Sequence, residues 1–209
     1  KFKAPLLAGS PACIQEEKGE YSYYNSAYLI APGGEIKGRY DKTHLVPFGE
    51  YVPLRRWFPF LGKIVEAVGD FSSGEKNQPL LLGNRPVGVL ICFEIVFTEL
   101  GRNLKKNGAE LLVTITNDAW FGTSSAPYQH LSMAVFRGIE NRVAIARSAN
   151  TGISALIDPA GRIIKQTHLF QDASISGNLP LMTIETLYTH FGYVLPMLSI
   201  IITLWLIYR

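Results

Sequence analysis

A chain of 209 residues is long enough for one domain with its own hydrophobic core. Its 47% hydrophobic content excludes a disordered chain, and a formal charge of +3 without any Lys/Arg run beyond two residues gives no footprint for nucleic acid. Two cysteines and four scattered histidines make no metal-ligand spacing, and no phosphate-binding glycine loop is present, so neither a metal nor a nucleotide cofactor is expected.

Lys1 to Gly9 runs directly into strand-like sequence without a signal-peptide core, so further residues are expected before Lys1. Pro5 to Ser10 reads as a short buried strand and Cys13 to Glu20 as a solvated hairpin tip. Tyr23 to Ala31 and Glu35 to Tyr40 read as hairpin arms around the Pro32-Gly33-Gly34 turn. The segment Tyr40 to Pro53 holds two prolines and a glycine that exclude regular structure, yet it is rich in reactive groups. Leu54 to Phe71 has helical character, with Trp57, Phe58, Phe60 and Leu61 beside Arg55, Arg56 and Lys63. That set fits equally a core helix and a lid dipping into a membrane interface.

Pro79 to Gly83 and Pro86 to Cys92 form two strands. The second is a continuous apolar run of β-branched composition, the pattern of a strand buried on both faces. Phe97 to Asn107 is an amphipathic helix with Asn107-Gly108 as its stop. Leu111 to Thr116 is a further buried strand, followed by the cluster Asn117-Asp118-Ala119-Trp120-Phe121-Gly122. Gln129 to Asn141 has helical spacing, and three strands are expected over Val143–Ala149, Gly152–Ile157 and Arg162–Gln166. Strands that end in polar clusters, interleaved with a few helices, indicate an α/β protein with helices outside sheets. Phe191 to Tyr208 carries no charge over eighteen positions, and as a helix roughly 27 Å long it approaches a bilayer core. A membrane span is expected there, with Arg209 at its cytoplasmic end and the preceding domain on the external face. A buried core helix is the plainer alternative.

Cys92 stands at the C-terminal end of its strand, where free backbone N–H groups stabilise negative charge in open α/β sheets. A thiol there can attack a carbonyl carbon, although burial as a small core residue describes most cysteines. Lys42 is a cation placed to steady an oxyanion, and Glu50 and Glu94 are carboxylates placed to hold that lysine or to manage protons. Each alone reads as a surface charge; together, in otherwise apolar stretches, they read as a site. Cys13 is a structural or incidental residue, and a disulfide between the two cysteines needs a proximity that spacing does not establish.

The segments Tyr40 to Pro53, Ile91-Cys92-Phe93-Glu94 and Thr116 to Gly122 resemble the nitrilase (carbon-nitrogen hydrolase) superfamily, and within it the apolipoprotein N-acyltransferase branch. The resemblance runs from about Leu6 to the terminal apolar segment. It implies a four-layer α-β-β-α sandwich over residues 1–187, incomplete at its N-terminus, followed by a transmembrane helix over 188–209. It implies a Glu-Lys-Cys triad in which Cys92 and Lys42 match two members, Glu50 matches a further carboxylate and Glu94 the one after the nucleophile. Phe93, Asn117, Trp120, Phe121, Trp57 and Phe58 are the residues expected against substrate. The implied acyl donor is a phospholipid of the phosphatidylethanolamine type, and the acceptor is a diacylglyceryl apolipoprotein. The implied location is the bacterial cytoplasmic membrane, with no metal and no cofactor. Two departures stand out. The general-base glutamate of the superfamily lies in a Pro-Glu motif that this sequence lacks, and Glu16, Glu17 and Glu20 sit in a solvated tip. The expectation is therefore a C-terminal portion of a longer protein. Phe93 also stands where the branch often carries tyrosine. A membrane-anchored amidase or carbamoylase, and an inactive anchored binding module, remain the alternative readings.

Overall fold

Side-chain alternation decides how the layers stack. In β5 (Arg85–Ile91), Val89 and Ile91 point to one face and Leu90 to the other, and all three are buried, as a strand covered on both sides requires. The computed structural model describes residues 3–16, 19–53, 70–75 and 77–209. Among them, β1 (Leu6–Gln15), β2 (Tyr21–Ile30) and β3 (Ile36–Asp41) form an antiparallel sheet. A second sheet runs in the order β4 (Leu80–Leu82), β5, β6 (Leu111–Asn117), β7 (Ala144–Asn150), β8 (Ala155–Ile157), β9 (Ile163–Gln166). Its central pairs β5–β6 and β6–β7 are parallel and its outer pairs antiparallel.

Parallel neighbours need crossovers, and α1 (Thr98–Lys106) and α2 (Ala126–Asn141) supply them. Both helices cover one face of the six-stranded sheet, where Leu104, Leu131 and Ala134 meet Leu90, Leu112 and Ile145. Gly88 lets α1 come close, because a Cβ there would stand 2.6 Å from Leu112 and 3.1 Å from Leu104. The opposite face packs Val89 and Ile91 on Ala27 and Tyr40 of the three-stranded sheet. Helix, sheet and sheet are thus three of the four expected layers; the fourth falls on none of the described residues.

Two expectations change. β1 does not stop at Ser10 but continues through Pro11 and Cys13, pairing Pro11 with Asn25 and Cys13 with Tyr23. Among the described strands it lies at a sheet edge, where a proline's missing N–H is tolerated. The uncharged C-terminal run is also not one helix. Short α3 (Leu187–Phe191) ends at Gly192 (φ 55°), and the Arg102 guanidinium of α1 donates to the carbonyls of Tyr188, Thr189 and His190 at 3.1, 2.9 and 2.8 Å. Those carbonyls are committed to α1, so the chain turns before α4 (Val194–Tyr208) begins. α4 has 15 residues and is about 22 Å long. Among the described residues no helix is long and apolar enough to cross a membrane. The expected helical lid with Trp57 and Phe58 lies outside the described residues.

Candidate active site

Cys92 is the first residue after β5, and its φ of 52° is in the left-handed region that few side chains adopt. The backbone reverses there into a 3-10 turn, Cys92–Val96. A cavity of about 830 Å³ lies between the two sheets, walled by Leu7, Phe71, Ile91, Phe93, Ile115 and Phe121. Into this apolar space the fold brings Cys92, Lys42 and Glu50 together.

Lys42 follows β3 directly, and its backbone N–H donates to Asn25 O at 2.8 Å, which fixes the residue to β2. The side chain is 1% exposed, a position where an ammonium needs a countercharge. Glu50 supplies it, accepting from Lys42 Nζ at 2.9 Å through Oε1 and 2.7 Å through Oε2. Asn25 Nδ2 and Val46 N donate to the same carboxylate at 2.7 and 2.8 Å. The proline-rich loop curls back on itself, with Glu50 N donating to Val46 O, and so presents Glu50 to Lys42. Among the described residues Glu50 is the carboxylate lining the cavity, and it is saturated by these donors.

Glu94 does different work. It is fully buried, does not line the cavity, and accepts five hydrogen bonds. Oε1 takes Tyr40 Oη at 2.9 Å, Thr43 N at 2.8 Å, Thr43 Oγ1 at 3.0 Å and His44 N at 3.1 Å; Oε2 takes Ile91 N at 2.8 Å. Burial, and then the Glu94 charge, push the Tyr40 hydroxyl far above its ordinary value, so it stays a donor. One carboxylate thereby ties the loop after Lys42 to the turn that begins at Cys92. Replacing Glu94 with alanine orphans those buried donors and is expected to cost at least about 3 kcal/mol. A melting experiment on the Glu94→Ala protein should show a Tm lower by roughly 6–12 °C for a domain of this size. An unchanged Tm would remove this clamp from the account.

Behind Cys92 sits a buried polar cluster. Asp118 Oδ1 accepts from Thr116 Oγ1 at 2.8 Å and faces His130 Nδ1 at 3.0 Å, while Oδ2 accepts from Arg147 Nη2 at 2.6 Å. His130 Nε2 lies 3.2 Å from the carbonyl oxygen of Cys92. Burial alone would raise the Asp118 carboxyl, but the His130 hydrogen bond, the Arg147 charge and Thr116 together hold it below the usual carboxylate range. Gly152 permits this arrangement, since a Cβ there would stand 2.4 Å from Asp118 Oδ2.

The remaining expected residues are dispersed around the same space. Phe93 lines the cavity with its ring edge-on to Phe97 at 5.3 Å. Asn117 lines it too, while its side chain accepts from Ala119 N at 3.2 Å. Phe121 forms part of the wall, and Trp120 reaches the cavity while 84% exposed. Trp57 and Phe58 lie outside the described residues. Glu16 and Glu20 are exposed at the hairpin tip, Glu17 lies outside the described residues, and both cysteines are free, Cys13 exposed on β1. Among the described residues no cluster of three or more His, Cys, Asp or Glu is placed to hold a metal ion. Asn25, Tyr40, His130 and Arg147 escaped the sequence reading. A charged Arg147 inside the buried Val143–Ala149 run was the available signal; His130 offered none, because its partners are 12, 17 and 38 residues away.

The carbon-nitrogen hydrolase family pattern matches residues 4–188. The chain is 50% identical over 192 residues to the apolipoprotein N-acyltransferase of Geobacter metallireducens, covering 92% of this chain and 37% of that protein. It is 34% identical over 200 residues to the apolipoprotein N-acyltransferase of Rickettsia prowazekii, covering 95% of this chain and 40% of that protein. The chain therefore spans about two fifths of the length of these curated relatives. Among solved structures, a carbon-nitrogen hydrolase from Helicobacter pylori superposes with a TM-score of 0.58 at 18% identity, over 78% of this chain and 57% of that one. An amidase from Nesterenkonia sp., solved with acrylamide added to its active-site cysteine, superposes with a TM-score of 0.55 at 23% identity, over 79% of this chain and 59% of that one.

Proposed function

Because the chain belongs to the carbon-nitrogen hydrolase family, we propose that it carries the nucleophile and oxyanion side of an apolipoprotein N-acyltransferase site. The observation that carries this reading is Cys92 on a left-handed strand end, facing a large apolar cavity with Lys42 as its buried cation. The identity to the Geobacter enzyme supports the same choice within the family. A cavity of about 830 Å³ with aliphatic and aromatic walls suits a fatty acyl chain better than a small amide.

In the proposed reaction the Cys92 sulfur attacks the ester carbonyl of a phospholipid. A C–S bond forms, and collapse of the tetrahedral adduct breaks the ester C–O bond, releasing lysophospholipid. The α-amine of a diacylglyceryl-cysteine lipoprotein then attacks the thioester, forms the amide and frees the thiol. Lys42 Nζ and the N–H of Phe93 stabilise the oxyanion in both halves, and Glu50 holds the lysine in place. A base takes the thiol proton and returns it to the departing alkoxide; the Pro-Glu carboxylate that the resemblance implies for this step is not in this sequence. Phe93, Asn117, Trp120 and Phe121 contact the acyl chain or its headgroup end.

α4 belongs in the lipid of the bacterial cytoplasmic membrane, with the catalytic domain on its external face. Its exposed surface is mostly apolar, with Met197, Ile200, Ile201 and Leu204 each at least 59% exposed, a composition that water does not favour. Trp205 and Tyr208 end the helix, with the Arg209 guanidinium 5.0 Å from the Trp205 ring centre, as interfacial anchors do.

The test is direct. The protein in detergent, given phosphatidylethanolamine labelled in its acyl chain, should retain label that neutral hydroxylamine releases. Label that never becomes protein-bound would defeat this reading.

A further inference from the structure

We propose that His130 is a positioning residue for the Cys92–Phe93 peptide, aiming the N–H that receives the oxyanion. The inference rests on the acyl-transfer reading above.

His130 is 5% exposed and lies in the second turn of α2. The carbonyl of Cys92 can only accept, so the hydrogen bond at 3.2 Å requires the proton on His130 Nε2. The other ring nitrogen has partners for either charge state. Nδ1 donates to Asp118 Oδ1 at 3.0 Å when protonated, and accepts from Arg147 Nη2 at 3.1 Å when not. Nε2–H therefore points at Cys92 O in both states. The ring cannot swing away, since Phe121 packs edge-on against it at 5.8 Å and Asp118 is itself held by Thr116 and Arg147.

In a trans peptide the carbonyl and the following N–H point in opposite directions. Holding Cys92 O toward α2 thus directs Phe93 N–H away from α2. The conformation needs holding, because a cysteine at φ 52° occupies a sparsely populated region. A second side chain of α2 acts on the same turn: Arg137 Nη1, seven residues on, donates to Ile95 O at 3.2 Å and Val96 O at 3.0 Å. Residues seven apart lie on one face of a helix, so α2 grips the nucleophile turn at its start and its end.

Two variants separate positioning from mere packing. The amide of His130→Gln reaches the place of Nε2 and can still donate to Cys92 O; the amide of His130→Asn is one bond shorter and reaches only the place of Nδ1. Two rates are measured on each folded protein: alkylation of Cys92 by iodoacetamide, which needs no oxyanion site, and formation of labelled acyl-thioester from phosphatidylethanolamine. His130→Asn should alkylate within about threefold of the parent yet acylate on the order of 10²-fold more slowly, the scale of one lost oxyanion donor. His130→Gln should recover to within about tenfold of the parent. The positioning role is overturned if His130→Asn acylates at the parent rate, or if His130→Gln is as slow as His130→Asn. A parent that alkylates but never forms a thioester rejects the acyl-transfer reading, and this role with it.

Discussion

Cys92→Ala protein is expected to lose transfer of the acyl chain by a factor on the order of 10⁴ or more, the scale seen when a covalent nucleophile is deleted. Without the sulfur there is no thioester, and no nearby group replaces it: Lys42 is committed to Glu50 at 2.7 and 2.9 Å, and Glu94 is enclosed by its five donors. The fold should survive, because alanine at φ 52° is no more strained than cysteine and Cys92 is only partly buried. Substrate affinity should survive as well, since the apolar walls are untouched. The measurement is therefore a pair: transfer rate and protein-bound label on one side, Tm on the other. Loss of label with an unchanged Tm supports the nucleophile assignment. Persisting label on the alanine protein would place the covalent chemistry elsewhere.

Lys42→Met should lower transfer on the order of 10²–10³-fold, the effect of removing one preorganised charge from an oxyanion site. It should also destabilise the protein, because Glu50 would lose its cation at 13% side-chain exposure and retain only Asn25 and Val46 as donors. Breaking a buried pair by removing one member costs about 3–5 kcal/mol, and the partial exposure of Glu50 points to the lower end. The two effects separate in a double variant. Adding Glu50→Gln to Lys42→Met removes the stranded charge, so Tm should recover most of its loss while transfer stays low. Recovery of both would mean that the lysine served the fold alone. Recovery of neither would mean that the Lys42–Glu50 pair is not the seat of the destabilisation.

Much of the architecture was legible because it depends on neighbours in the chain. The Val87–Ile91 run predicts a strand buried on both faces, and β5 lies between the helices and the three-stranded sheet. The Tyr40–Pro53 loop predicts a functional segment, and it delivers both Lys42 and Glu50 to the cavity. Local pattern misplaced the end of β1, because proline reads as a stop until the strand is known to lie at an edge. The C-terminal run is divided between two helices for a related reason. Eighteen uncharged residues promise one helix, but Arg102, some 86–88 positions away, takes the carbonyls at which that helix would have continued.

By itself the sequence determined the strand that leads to Cys92, the cation in the loop after β3, and the apolar walls around them, since each follows from side-chain period or turn chemistry over a few residues. Only the tertiary structure decided what the polar groups do. Glu94, two positions from Cys92, became a clamp because sheet stacking set it against Tyr40 and Thr43, 54 and 51 residues away. His130 acquired a role because α2 crosses behind β5 within reach of Cys92 O. The reason is physical: hydrophobic period is written locally, whereas a buried hydrogen bond depends on which distant backbone the packed layers bring within about 3 Å.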